Sequence, residues 1–155
     1  MKKNSILTGM LMVMITIAGV AQENVEKEKF YFSRTITATV DEATQQVKAS
    51  LKDEGFGIVT EIDMHKTLEE KLGKTMNTYR ILGACNAGFA WQTLQKEENI
   101  GVFLPCKVLV KDIGGGKTEI VAVNPSQLMK MLDNPELEGI ADEVASRFKT
   151  ALEKL

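Results

Sequence analysis

From Phe30 to Val40 the chain alternates without a break. Phe30, Phe32, Arg34, Ile36, Ala38 and Val40 take one side; Tyr31, Ser33, Thr35, Thr37 and Thr39 take the other. Period-two patterning rich in β-branched residues fits an extended segment with one face buried. The closing stretch behaves differently: Leu137, Ile140, Ala141, Val144, Phe148, Leu152 and Leu155 return at the helical period. That spacing gives a helix one apolar stripe, which must be buried against something. A chain that opens on a half-buried strand and closes on a one-sided helix has an economical solution, the helix laid across a sheet.

The segments between follow the same two periods. Asp41 is a suitable N-cap for a helix over 42–54, whose Ala43, Val47 and Leu51 recur every four residues. Phe56, Ile58 and Ile62 predict a second strand, interrupted at Thr60, and Leu68 and Leu72 a short helix ended by Gly73. Residues 79–84 read as a third strand, and Asn86 can cap a helix carrying Ala90 and Leu94. Val102, Leu104, Cys106, Val108 and Val110 lie in phase for a fourth strand, and Thr118, Ile120 and Ala122 for a fifth. The turn between them falls on Gly114, Gly115 and Gly116, because successive positive φ angles suit only glycine. Residues 102–123 are therefore expected to form a hairpin. Asn124-Pro125 then starts a short helix, with Pro where its missing N–H does no harm. The expected class is α+β: a mixed or antiparallel sheet of about five strands with helices packed on one face.

The first residues fall outside this scheme. Lys2 and Lys3 precede an uncharged, mostly apolar run from Ile6 to Val20, shorter than the roughly 20 residues a membrane-crossing helix needs. Gly19 and Ala21 then stand where a signal peptidase reads small residues. Residues 1–21 are expected to be a signal peptide, 22–29 a flexible spacer, and 30–155 a single domain of a periplasmic or secreted protein. No transmembrane segment is expected once the signal is removed. Losing two lysines takes the net charge from −2 to −4. Without a basic cluster, nucleic acid is excluded as a partner, since phosphate neutralisation supplies most of that affinity. Two Cys and three Pro exclude disulfide-dense and collagen-like scaffolds.

A series of short elements then appears in order: Gly55-Phe56, Glu61-Ile62-Asp63, Lys71-Leu72-Gly73, Tyr79-Arg80-Ile81-Leu82, Gly83-Ala84-Cys85-Asn86, Ile100-Gly101 and Leu104-Pro105-Cys106. In this the chain resembles the family called domain of unknown function 302, over roughly residues 33–153. The resemblance implies a compact α+β domain and a homodimer. It carries over no catalytic residue, because the family has no established activity. One departure stands out: Cys85-Asn86-Ala87 replaces the family's Cys-Asn-Pro, which loosens the helix start but keeps the cap.

The residues with chemistry to offer are Cys85 and Cys106. Cys85 ends a strand just before a helix N-terminus, where free N–H groups favour a thiolate. Cys106 follows Pro105, which cannot donate to a ladder and so points to an edge or bulge. Three uses stay open: buried thiols acting as small hydrophobes, a disulfide in an oxidising compartment, or a functional pair that binds a soft metal or exchanges with a disulfide. His65 could complete a Cys2His metal set with Cys85 and Cys106, although a solvated helix-end histidine explains it more simply. Trp91 is expected in the core, at a dimer interface or, less readily, as a ligand platform. There is no Gly-x-Ser-x-Gly elbow, and the glycine turn lacks the spacing of a phosphate loop.

The reading that follows is a non-catalytic domain that binds a small ligand or soft metal near Cys85, Asn86, Trp91, Pro105 and Cys106, its cofactor unidentified. The runner-up is a redox protein cycling the two cysteines. Binding ranks first because a redox pair more naturally takes the form Cys-x-x-Cys.

Overall fold

The computed structural model describes residues 29–155. The expected signal peptide and nearly all of the spacer lie outside the described residues.

Five strands form one sheet: β1 (Tyr31–Thr37), β2 (Gly57–Asp63), β3 (Tyr79–Cys85), β4 (Cys106–Gly114) and β5 (Lys117–Val123). Their order is β1-β5-β4-β3-β2 and every pairing is antiparallel. The helices are α1 (Val40–Asp53), α2 (Met64–Leu72), α3 (Ala87–Leu94), α4 (Pro125–Met129) and α5 (Glu138–Glu153). The alternation seen in sequence sets the faces. Leu82, Ala84, Val108, Val110, Ile120 and Ala122 are fully buried, against Ala43, Val47 and Leu51 of α1 and Val144, Phe148 and Leu152 of α5. Phe56 stacks on Phe148 with ring centroids 4.7 Å apart. The other face carries Ile62, Ile81, Leu109 and Val121 in one register row across four strands, half-buried or exposed.

Three details differ from the sequence expectation. The cap of α1 is Thr39, not Asp41: its hydroxyl accepts from Glu42 N–H while the Glu42 carboxylate accepts from Thr39 N–H at 2.9 Å. A reciprocal pair satisfies two otherwise orphaned donors, which a lone Asp cannot do. Val102 and Leu104 are not in β4, because residues 98–103 form a 3-10 turn and the strand starts only at Cys106. Pro105 marks neither an edge nor a bulge, since it precedes the ladder of a central strand. The break at Thr60 is a register shift between Ile58 and Thr60 in β2.

Candidate functional site

β3 ends at Cys85, and Asn86 turns the chain into α3. The Asn86 side chain accepts from Phe89 N–H at 3.1 Å and donates to the Gly55 carbonyl at 2.8 Å. One amide thus caps α3 and ties it to the loop before β2, so the cap survives the Ala at position 87. On the neighbouring strand Cys106 pairs with Ala84, one position from Cys85. Pro105 lies over Gly83, where a Cβ would come within 2.5 Å of the proline Cγ and would also collide with the Thr60 hydroxyl. Glycine at 83 is what lets this ring sit on the sheet.

Beyond these strand ends the helices do not close. Phe89, Ala90 and Thr93 on one side of α3 face Leu128 and Met129 of α4 and Ile140, Ala141 and Val144 of α5. Ile100, Phe103 and Leu104 form a further wall, and Phe56, Ala84, Cys85 and Cys106 form the floor. They enclose a cavity of about 220 Å³. Val102 borders it while remaining 83% exposed, which places the mouth at the 98–103 turn. Arg147 lies over the Phe89 ring, its guanidinium 5.3 Å from the ring centre, and its Nη1 donates to the Glu54 carbonyl.

Both cysteines are free and half-buried. Desolvation, and then the neighbouring Cys85, push the Cys106 thiol up to about 11, so it is protonated at neutral pH. The polar side chains bordering the cavity are already engaged: Asn86 as above, and Thr93 by donating to the Phe89 and Ala90 carbonyls. Lys107 donates to the Pro105 carbonyl.

Three residues named from sequence do not line this cavity: Pro105, whose ring lies over Gly83, His65 and Trp91. His65, in the first turn of α2, faces the backbone of Tyr79, with Nδ1 3.2 Å from its carbonyl and 3.3 Å from its amide nitrogen. Tyr79 opens β3 and Cys85 closes it, so six strand steps, roughly 20 Å, separate the histidine from the thiols. The Cys2His set is therefore not assembled, and among the described residues no cluster of three His, Cys, Asp or Glu could hold a metal ion. Trp91 is 65% exposed on the outward side of α3, in neither core nor cavity. What the sequence reading missed is the apolar wall at 100–104 and 128–144. No residue pattern signalled it, because periodicity assigns residues to a face but not the distance at which two faces settle.

The model of the family described as "Domain of unknown function DUF302" matches residues 32–155. The chain belongs to this DUF302 family. No curated protein matches the chain. Among solved structures it is similar to an uncharacterized conserved DUF302 protein from Bacillus stearothermophilus. Identity is 29% and the TM-score 0.76, over 82% of this chain and 98% of that one. The family thus accounts for nearly every described residue, from β1 to the end of α5.

Proposed function

We propose that this DUF302 protein is a non-catalytic binding domain that holds a small ligand in the cavity above Cys85 and Cys106. One observation carries the reading: the ends of three helices and a 3-10 turn enclose space that they do not fill, although protein interiors normally pack to crystal-like density. Among the described residues no His, Asp or Glu lines that space, which favours binding over acid–base turnover. With His65 distant and Cys106 held protonated, a small organic ligand suits the site better than a soft metal. The test is a thermal-melting screen of small organic molecules against the wild type and the cavity-filling variant Ala90→Leu. Hits that raise the wild-type midpoint and lose their effect in the variant support binding. Hits that act equally on both would refute it.

The redox alternative rests on the adjacency of Cys85 and Cys106 on neighbouring strands. Cys106 is a poor attacking thiolate at neutral pH, so exchange would have to begin at Cys85. The same reading places the domain in the periplasm or outside the cell, on the strength of residues 1–21. It also makes the domain a homodimer, and the row Ile62, Ile81, Leu109 and Val121 is the surface that suits pairing of two sheet faces. Sedimentation of Leu109→Lys checks this: a dimer that dissociates supports it, and a monomeric wild type removes it.

A further inference from the structure

We propose that the ligand is an uncharged, ring-sized apolar molecule of the alkyl-substituted monocyclic arene class, and that the cavity rejects its charged analogues. This rests on the binding reading above and adds the ligand's chemistry to it.

Size sets the first limit. A dry apolar cavity of about 150 Å³ takes benzene, whereas drug-sized ligands need roughly 300 Å³ or more. About 220 Å³ lies between, with room for a six-membered ring and a short alkyl substituent. Polarity sets the second. The amide of Asn86 and the hydroxyl of Thr93 already have partners within the protein, so a ligand gains nothing by carrying groups to meet them. Among the described residues no carboxylate lines the space, and Lys107 is exposed and turned back onto the Pro105 carbonyl. An ion drawn inside would lose its hydration, and the charge bordering the space, this solvent-exposed Lys107 ammonium, is directed to the Pro105 carbonyl.

The lining also favours an aromatic body over a saturated one. Phe56, Phe89, Phe103, Met129 and the two cysteines present rings and sulfur, both polarizable and both suited to a ring's faces and edges. The mouth beside exposed Val102 admits such a molecule directly from solvent.

The experiment is calorimetric titration of the full domain with ethylbenzene, ethylcyclohexane and 4-ethylbenzoate, repeated on Ala90→Leu and on Thr93→Leu in case one variant fails to fold. Ethylbenzene should bind, ethylcyclohexane more weakly, and 4-ethylbenzoate at least about tenfold more weakly. Either filling variant should abolish all binding. If the carboxylate binds as well as ethylbenzene, or the saturated ring binds equally, and binding still disappears on filling, the ligand class is wrong and the cavity reading survives. If nothing binds, or binding ignores both filling variants, the cavity reading fails and takes this inference with it.

Discussion

The two ends of β3 solve opposite problems. At the Tyr79 end, Arg80 is only 13% exposed and is surrounded by carboxylates: Asp63 at 2.8 Å, Asp41 at 2.9 Å and Glu61 at 3.3 Å. Lys66 and Lys48 complete the balance on Asp63 and Glu61. Every charge there is spent on a neighbour, which leaves the cluster nothing to offer a ligand. At the Cys85 end the polar groups are equally satisfied, yet the packing is incomplete. A satisfied ion cluster reads as structure, whereas an unfilled apolar space reads as a site, because voids are costly unless something occupies them. The difference separates a striking charge pattern from a functional one.

The largest expected effect comes from the charged end. Arg80→Met should cost about 2 kcal/mol in urea unfolding, because Asp63 and Glu61 lose a shared half-buried partner, while the exposed Asp41 contributes little. Ligand binding at the far end should be unchanged; if it also fails, the two ends are not independent.

The pH dependence follows from Asp63, whose carboxyl is held at about 2 rather than 3.8, first by the Arg80 hydrogen bond and then by Lys66. A depressed acid stabilises the fold above its unfolded value, and that contribution drains away as pH falls from about 4 to about 2. Asp63→Asn should flatten the stability curve in that window. An unchanged curve would mean that the cluster does not hold the carboxylate.

At the other end the sign reverses. Ala90→Leu should stabilise the protein by roughly 1 kcal/mol, by filling space in which the wild type has no atoms. A loss of stability would show that the space is not available.

The effect that is smallest at neutral pH concerns Cys106. Its raised value means that the folded protein keeps a proton which the unfolded chain releases between about pH 9 and 11. Stability should therefore fall across that range, and less so in Cys106→Ala, as read by urea midpoints.

The sequence revealed the scaffold far better than the site. Alternation in 30–40 and the stripe in 137–155 predicted β1 and α5, because a buried face leaves its period in the residues. The Thr39 cap was also readable, with Glu42 three positions on, but Asp41 is an equally good capping type. Val102 and Leu104 were misassigned because they fall in phase with Cys106 and Val108, and periodicity alone does not register that Pro105 delays the ladder. Helix placement of Asn86 could be anticipated, but the pairing of the cysteines' strands could not, since strand order leaves no period in the residues. The remoteness of His65 could not, since it depends on which end of β3 the α2 helix meets. The cavity was least legible: a void arises from how far apart helix faces settle, and no residue pattern encodes a missing contact.

Methyl-resolved NMR under xenon tests the central claim most directly, because xenon enters dry apolar cavities and ignores charged clusters. Shifts should concentrate on the methyls of Ile100, Val102, Leu128, Ile140 and Val144, and vanish in Ala90→Leu. Shifts scattered over the surface, or none at these five residues, would contradict the account.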